Sequence, residues 1–165
     1  MENVEIERKW LMDGFPALAM RDETEMEQGY LVFEPLTVRI RKSRAHGQQT
    51  CWLTIKGRGE LSRTEVETPL SAQQYAALVP LLALPVVKKR MRTYVLPGGE
   101  VLECSLVDEG EPTAIYYAEV EFESEDAARA FVPPGWLGRE VTNEHGQSMA
   151  AYCRRKHGLP VPNDM

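Results

Sequence analysis

Residues 4–10 read Val-Glu-Ile-Glu-Arg-Lys-Trp, a segment in which charged and apolar side chains alternate. Successive side chains of a β-strand point to opposite faces of the sheet, so this alternation predicts a strand. One face would carry Glu5, Glu7 and Lys9, and the other face would carry Val4, Ile6 and Trp10. An ordinary half-buried strand shows mixed polar residues on its solvent face, whereas this face carries only ionisable groups.

The same kind of charged face recurs along the chain. Predicted strands cover residues 3–12, 27–33, 36–45, 50–57, 62–69, 86–96, 100–107 and 116–123. After the first strand, the charged faces carry Arg39 and Arg41, then Thr54 and Lys56, then Arg63, Glu65 and Glu67, then Lys88, Arg90 and Arg92, and finally Glu119, Glu121 and Glu123. One such row alone is usually a solvated face, so the recurrence is what makes the pattern informative.

A closed barrel accounts for all of these rows. If the strands close into an antiparallel barrel, the charged faces line its lumen and the apolar faces point outward under a few covering helices. Basic rows would then bind a polyanion, and acidic rows would hold a divalent cation. The alternative is that opposed rows form ordinary cross-strand ion pairs without a ligand. The predicted fold class is α+β, mainly β, with an eight-stranded barrel.

Three short segments are predicted to be helices. One begins after Ser71, where Gln74 completes a capping box. Another begins after Ser124 with two acidic residues in its first turn. Residues 146–157 form the last predicted helix, which ends in basic residues before Gly158.

Length, charge and cysteine content narrow the class of protein. The 165 residues suit one domain, predicted at 1–158, followed by a frayed tail at 159–165. The net charge of −6 and the sequence pI near 5.2 argue against a general nucleic-acid binder. The three cysteines are widely spaced, which indicates neither a zinc site nor a disulfide framework. The sequence contains no signal peptide and no membrane-length apolar segment, so a cytoplasmic location without a membrane partner is expected.

Several short motifs follow one another in a fixed order. The first is Glu5-Ile6-Glu7-Arg8-Lys9, which is similar to a Glu-x-Glu-x-Lys signature. The others are Gln28-Gly29-Tyr30-Leu31, Val38-Arg39-Ile40-Arg41, Leu53-Thr54-Ile55-Lys56-Gly57, Arg63-Thr64-Glu65-Val66-Glu67, Lys88-x-Arg90, Ala118-Glu119-Val120-Glu121-Phe122, Trp136-Leu137-Gly138 and Glu140-Val141-Thr142. In this order they resemble the CYTH domain, the family of the triphosphate tunnel metalloenzymes. The resemblance spans the chain to about Thr142.

The resemblance implies a fold, a cofactor and a set of reactions. Members of the family form an eight-stranded antiparallel tunnel and use Mg²⁺ or Mn²⁺. They hydrolyse inorganic tripolyphosphate or thiamine triphosphate, remove a 5′ phosphate from RNA during capping, or cyclise ATP to cyclic AMP. Bacterial-looking sequences of this compact size resemble the inorganic tripolyphosphatases. A small-molecule triphosphate is therefore the expected partner, and the oligomeric state stays open.

The chemistry of a triphosphate suggests roles for the charged rows. Guanidinium groups fork onto phosphate oxygens and lysines act as point charges, which favours Lys9, Arg39, Arg41, Lys56, Lys88 and Arg90 as the phosphate cradle. Hard divalent cations prefer oxygen ligands, which favours Glu5, Glu7, Glu119 and Glu121 as metal ligands, with Glu65 and Glu67 completing the acidic wall or holding a second ion. The catalytic candidates are Glu5, Glu7, Lys9 and Lys56, with Glu5 or Glu7 orienting the attacking water.

Two departures from the family pattern keep other functions open. Ser105 stands where many relatives have an aspartate, and Asp108 nearby has the opposite strand parity. Residues 143–148 replace a longer stretch before the last helix. These departures keep open a module that binds triphosphate or polyphosphate without turnover. A class IV-type adenylate cyclase is a further alternative, because the resemblance implies that the same barrel can also take ATP.

Overall fold

The structure, a computed structural model, describes residues 3–163 and 165. Its strands are β1 (Val4–Met12), β2 (Asp22–Val32), β3 (Thr37–Ala45), β4 (Gln48–Lys56), β5 (Ser62–Leu70), β6 (Val87–Val95), β7 (Val101–Val107) and β8 (Ile115–Glu121). They form one closed barrel in the order β1-β5-β4-β3-β2-β6-β7-β8, and every neighbouring pair is antiparallel. The predicted eight-stranded barrel is therefore confirmed. Residues 1, 2 and 164, which belong to the predicted domain and tail, lie outside the described part.

Strand β1 closes the barrel by pairing with two different neighbours. Its first residues, from Val4 to Ile6, pair with β5, and residues from Glu7 to Met12 pair with β8. The pairing of β1 with β5 ends at Ile6. Beyond this point the segment around Val141 pairs with β1 instead, and the N–H of Val141 donates to the carbonyl of Lys9. Closure leaves no long unpaired strand edge, which would otherwise expose backbone donors and acceptors.

Strand β2 begins at Asp22, earlier than the predicted start at residue 27. The additional residues are rich in glutamate, so they lack the apolar signal that marks a strand in sequence. Their partners lie on the neighbouring strand β6, where Glu23, Glu25 and Glu27 stand opposite Arg92, Arg90 and Lys88. Cross-strand pairing of opposite charges on the outer surface thus stabilises this part of the sheet.

Two helices cover apolar parts of the outer barrel surface, as predicted. Helix α1 (Ala72–Leu78) begins with the capping box at Ser71, and a 3₁₀ turn (Val79–Leu81) follows it. Tyr75 of this helix is buried in a cluster with Ile40 and Cys51. Helix α2 (Glu125–Ala130) leads into Phe131, which packs against the cluster around Trp10.

Helix α3 (Met149–Lys156) has a different position from the one expected of a covering helix. Its apolar residues pack against four side chains that point into the barrel, Tyr30, Val87, Val107 and Tyr117. All four lie toward the same end of the barrel, because antiparallel pairing places the end of β2 and β7 beside the start of β6 and β8. The helix therefore plugs this end of the lumen. The side chain of Met165 packs against the same cluster.

A buried carboxylate fastens α3 to the barrel. Asp108 follows β7 in a left-handed conformation (φ 51°) and is 4% exposed. Its Oδ2 accepts hydrogen bonds from the Tyr152 hydroxyl at 2.7 Å and the Lys156 ammonium at 2.8 Å, while Oδ1 accepts from the backbone N–H of Lys88 at 3.2 Å. Asp108 is therefore committed to holding the plug. No helix within the described residues is long and apolar enough to cross a bilayer.

We expect Asp108→Asn to destabilise the fold by about 1.5–3 kcal/mol, since it weakens a buried charge-assisted network. Burial acts to raise the pKa of Asp108, but the bonds from Lys156, Tyr152 and the Lys88 backbone outweigh it, so the pKa lies below its usual range. The stabilisation is therefore complete above the unfolded pKa, near 4, and is lost as the pH falls through the lower folded pKa. Urea unfolding at pH 7 and pH 3 measures both effects.

The matched control is Glu109→Gln, because Glu109 is exposed and its ion-pair partner among the described residues is Arg90, on the surface. Its free energy of unfolding should change by no more than about 0.5 kcal/mol. An equal loss of unfolding free energy in the two variants would contradict the role of Asp108 in holding α3. A loss for Asp108→Asn that is the same at both pH values would contradict it as well.

Candidate active site

The lumen of the barrel contains a cavity of about 490 Å³ lined mainly by ionisable side chains. This volume lies in the range of small-ligand sites in proteins. The lining comes from most of the strands, from the β2–β3 and β4–β5 loops, and from the segment 141–150 that leads into α3. The predicted charged faces of β1, β3, β4, β5 and β8 thus meet in one cavity, whereas that of β6 does not.

The carboxylates are gathered on one half of the barrel wall. The four strands β5, β1, β8 and β7 are consecutive neighbours. Every glutamate of a strand that lines the cavity comes from them: Glu65, Glu67, Glu5, Glu7, Glu119, Glu121 and Glu103. The six predicted metal-ligand candidates all belong to this set, and Glu103 adds one that sequence analysis did not select.

The opposite half of the wall is basic. Strands β4, β3, β2 and β6 are consecutive neighbours, and their ionisable residues in the cavity are Lys56, Arg39, Arg41 and Lys89. Lys9 and Arg63 also line the cavity but stand within the acidic half, on β1 and β5. The tunnel is therefore electrostatically two-sided, with an anion-binding wall facing an acidic one.

The predicted cradle contained two residues that the structure places elsewhere. Lys88 and Arg90 lie on the outer face of β6, so their predicted position in the tunnel is wrong, and the same holds for Arg92. Arg90 pairs with Glu109 on the surface, and Lys89 points inward instead. The run Lys88-Lys89-Arg90-Met91-Arg92 has basic residues at both parities, so alternation alone did not define the inner face. The inner face of β6 follows from its register with β2, in which the outer Glu23, Glu25 and Glu27 stand opposite Arg92, Arg90 and Lys88.

Three basic groups of the tunnel are bound by carboxylates. The Lys56 ammonium lies 2.8 Å from Glu5 and 2.9 Å from Glu65. The Arg63 guanidinium donates to Glu5 and Glu7, each at 2.7 Å. More loosely, the Lys9 Nζ is 3.6 Å from Glu119 Oε1. These ion pairs neutralise much of the charge in the acidic half.

Two other basic groups have no carboxylate partner within residues 3–163 and 165. Arg41 donates from Nε to the side-chain oxygen of Gln28 at 3.2 Å. Lys89, only 7% exposed, donates to the Tyr117 hydroxyl at 2.7 Å. A buried charge without a direct ion pair is costly. Burial and the positive charge of Arg41 lower the pKa of Lys89 well below its usual range, although Glu119 and Glu103 act against this shift. An anion beside this wall would favour the charged form of Lys89.

Arg39 is intermediate between these two groups. Its Nη2 donates to the Thr54 hydroxyl at 3.3 Å and lies 3.9 Å from Glu67. Its Nε is a buried donor without an acceptor among the described residues, and so is Nε2 of Gln28. The basic wall therefore has more hydrogen-bond donors than acceptors, which is the complement of a phosphate chain.

The two carboxyls of β1 have opposite proton affinities. Burial acts to raise the pKa of Glu5, but the charges of Lys56 and Arg63 outweigh it and lower the pKa to about 2. Burial, reinforced by the negative charges of Glu119 and Glu5, raises the pKa of Glu7 to about 7. Glu5 is thus a permanent anion, whereas Glu7 can accept or release a proton near neutral pH.

Three further carboxyls of this wall also have shifted pKa values. Burial alone would raise the pKa of Glu119, but the charges of Lys9 and Lys89 lower it below the usual range. Burial and the charge of Glu119 raise the pKa of Glu103. Burial and the charges of Glu5 and Glu103 raise the pKa of Glu121. Mutual repulsion of this kind is relieved when a cation enters.

The donor set suits a hard divalent cation in its chemistry. Carboxylate oxygens are the ligands that such ions prefer, and this wall contains no lumen-facing histidine or cysteine on its strands within the described residues. No three acidic, histidine or cysteine groups of the described residues stand close enough to form a ready ligand cluster. Glu5, Glu7, Glu119 and Glu121 are the residues that would hold the ion.

Sequence analysis missed three groups that the tunnel contains. Arg63 was placed on the correct face of β5 but not assigned to the site. Lys89 was hidden by the basic residues that flank it, and Glu103 stood alone between apolar neighbours.

Ser105 faces inward beside Tyr117 in the register of β7 and β8, and its hydroxyl hydrogen-bonds to Tyr117.

A closed antiparallel barrel with a two-sided charged lumen defines a class of proteins that bind anionic ligands within a tunnel. The chain belongs to the CYTH domain family, whose model matches residues 3–153. Metal dependence is typical of this family.

The chain is similar to two curated relatives and one crystal structure that are named as inorganic triphosphatases. The chain is 37% identical over 140 residues to an inorganic triphosphatase of Nitrosomonas europaea, covering 85% of this chain and 90% of the relative. It is 31% identical over 144 residues to an inorganic triphosphatase of Acetivibrio thermocellus, covering 85% and 86%. A crystal structure of an inorganic triphosphatase superposes with a TM-score of 0.62 at 32% identity, covering 96% of each chain.

The position of Lys88 and Lys89 can be tested without reference to activity. We expect an amine-acylating reagent to modify Lys88 readily in the folded protein and to leave Lys89 largely unmodified, because Lys88 is exposed and Lys89 is buried. Peptide mass spectrometry after brief labelling measures the two sites separately. Unfolding in urea before labelling is the control and should make the two lysines equally reactive. Preferential labelling of Lys89 in the folded protein would reverse the assignment of the inner face.

Proposed function

We propose that the protein hydrolyses inorganic tripolyphosphate to pyrophosphate and phosphate in a reaction that depends on Mg²⁺ or Mn²⁺. The observation that carries the proposal is the basic wall, where the half-buried Arg41 and the buried Lys89 lie in the tunnel without a carboxylate partner among the described residues. A linear polyanion can run along this wall and contact several of its donors together. The names of the two relatives and of the similar crystal structure agree with this activity.

The division of the tunnel suggests how the residues share the work. Arg39, Arg41 and Lys89 hold the phosphate chain and fix the terminal phosphorus in position, which is most of what phosphoryl transfer requires. A divalent cation held by the acidic wall would neutralise charge on the phosphate oxygens. Lys56, at the boundary between the walls, and Lys9, within the acidic half, would contact the substrate once their carboxylate partners turn to the cation.

Glu7 is the better of the two β1 carboxyls for orienting the attacking water. Both oxygens of Glu5 are engaged by Lys56 and Arg63, which leaves little capacity to accept a proton. Burial raises the pKa of Glu7 to about 7, and its one hydrogen-bond partner among the described residues is Arg63. Water would attack the terminal phosphorus and lose a proton to Glu7, the bridging P–O bond would break, and pyrophosphate would leave.

We expect loss of one cradle contact to weaken tripolyphosphate binding by about 1.5–3 kcal/mol, the range for hydrogen bonds to charged groups. This corresponds to roughly a ten- to hundredfold rise in KM or Kd for Arg39→Ala, Arg41→Ala and Lys56→Ala. Arg41→Lys should recover only part of the loss, because an ammonium cannot reproduce the guanidinium fork. The deficit should be smaller with pyrophosphate, which is too short to contact every basic group.

Phosphate release and isothermal titration calorimetry with tripolyphosphate, pyrophosphate, ATP and thiamine triphosphate measure these effects, with cyclic AMP assayed in parallel. Arg44→Ala is the matched control, since Arg44 lies on the same strand and is exposed. Unchanged binding and turnover in all three cradle variants would refute the proposal. Binding without turnover in the wild type would establish a binding module, and cyclic AMP formation would establish a cyclase.

Metal binding should depend on the acidic wall. We expect Glu5→Gln combined with Glu7→Gln to weaken Mn²⁺ binding at least about tenfold and to abolish hydrolysis, because two anionic oxygen donors are lost. Calorimetric titration with MnCl₂ in the absence of substrate measures the affinity directly, and circular dichroism verifies the fold. Glu123→Gln is the control, because Glu123 is exposed beyond the end of β8. Mn²⁺ affinity equal to wild type in the double variant would remove these residues from the metal site.

A further inference from the structure

The basic residues of the tunnel differ in the charge of the group that holds them. Lys56, Arg63 and Lys9 are held by carboxylates, at distances from 2.7 to 3.6 Å. Arg41 and Lys89 are held by neutral oxygens, the amide of Gln28 and the hydroxyl of Tyr117. Both kinds of partner orient the basic side chain, but only a carboxylate cancels its charge.

Gln28 is placed to orient Arg41, which is the one hydrogen-bond partner of its side chain among the described residues. The two residues stand directly opposite each other on β2 and β3, and Gln28 is completely buried. An arginine Nε can only donate, so the atom of Gln28 that faces it is the oxygen. This bond occupies the Nε of Arg41 and leaves the two terminal nitrogens of the guanidinium, the ones that fork onto phosphate, without a carboxylate.

Tyr117 has the same relation to Lys89. Its hydroxyl lies 2.7 Å from the Lys89 Nζ, and it is itself fixed by packing against α3 and by a hydrogen bond from Ser105. An ammonium has three N–H donors, so one bond to Tyr117 sets its direction and leaves two donors. The Lys9 Nζ lies 4.1 Å from the centre of the same ring, so Tyr117 contacts basic groups on both walls.

Neutral partners matter because substrate and carboxylate would compete for the same donors. A carboxylate beside Arg41 would lower the local positive potential and would have to be displaced before phosphate could bind. A glutamate side chain has nearly the same shape as glutamine, so packing alone would allow either at position 28. The neutral amide is therefore a functional feature of this wall.

We infer that Gln28 and Tyr117 are positioning residues that aim Arg41 and Lys89 at the substrate without neutralising them, and that this neutrality selects highly charged phosphate chains. The inference rests on the proposed function, because it assumes that the basic wall binds a polyphosphate.

The test compares Gln28→Glu with Gln28→Leu. Gln28→Glu keeps the shape and supplies Arg41 with a buried counter-ion, so thermal stability should be kept while the Kd for sodium tripolyphosphate rises by at least roughly tenfold. Gln28→Leu removes the acceptor but adds no charge, so it should lose more stability and less affinity. If Gln28 serves only to pack the interior, the order is the reverse, with Gln28→Glu binding like wild type and Gln28→Leu impaired.

The surface substitution Gln49→Glu is the matched control for net charge, because Gln49 is exposed on β4. It should leave the Kd of tripolyphosphate unchanged within about twofold, since exposed charges are screened. Calorimetry without a metal ion measures binding independently of turnover, and a thermal melt of each variant measures stability.

Tyr117→Phe tests the second pair, with Tyr116→Phe as its control on the same strand. We expect Tyr117→Phe to raise the Kd for tripolyphosphate by several fold, since Lys89 loses the oxygen that directs it, and Tyr116→Phe to have no effect.

Arg41→Ala distinguishes a failure of the proposed function from a failure of the inference about Gln28 and Tyr117. If Arg41→Ala leaves tripolyphosphate binding intact, the proposed function fails. If Arg41→Ala impairs binding while Gln28→Glu and Tyr117→Phe bind like wild type, the cradle stands and the inference about its neutral partners is overturned.

Discussion

Charges that are withdrawn from bulk water need a partner, and this requirement shapes the interior of the barrel. Burial of an isolated charge costs several kcal/mol, whereas a paired charge costs far less. The acidic half of the tunnel meets this requirement in part, through the bonds of Lys56 and Arg63 to Glu5 and Glu7, while repulsion among its carboxylates keeps the pKa values of Glu103 and Glu121 raised. The basic half meets it only in part, because Arg41 and Lys89 are directed by uncharged oxygens. A ligand that carries several negative charges completes the balance.

The rest of the molecule keeps this interior in a fixed geometry. Closure of the sheet positions every lumen side chain by backbone hydrogen bonds, so the two walls face each other across a defined space. The outer helices cover apolar strand faces, and the barrel therefore turns its polar side inward without exposing its apolar side. Helix α3 plugs one end, and Asp108 fastens it there, which makes a residue outside the tunnel responsible for its shape.

The register between β2 and β6 shows how the outside of the barrel determines the inside. Glu23, Glu25 and Glu27 pair with basic residues on the outer surface, and these pairs turn Lys89 toward the lumen. A shift by one residue would exchange the two faces and place Lys88 and Arg90 inside. The specificity of the binding wall is thus linked to the charged register on the opposite face of the same strands, in which Glu23 and Arg92 form an ion pair.

Alternation of charged and apolar residues in the sequence was sufficient to predict the barrel, its charged lumen and most of its inner rows, because the period of a strand assigns each residue to a face. The inner residues predicted in this way include Glu5, Glu7, Arg39, Arg41 and Lys56. The sequence also placed α1 and α2 from their capping residues. It did not define the inner face of β6, where both parities are basic, nor the glutamate-rich start of β2. Only the tertiary structure decided which basic groups have carboxylate partners and where α3 lies. Both features depend on contacts between residues that are separated in the chain, such as Gln28 with Arg41 and Asp108 with Lys156. Local patterns assign a side chain to a face, but the partner it meets there is set by closure of the whole barrel.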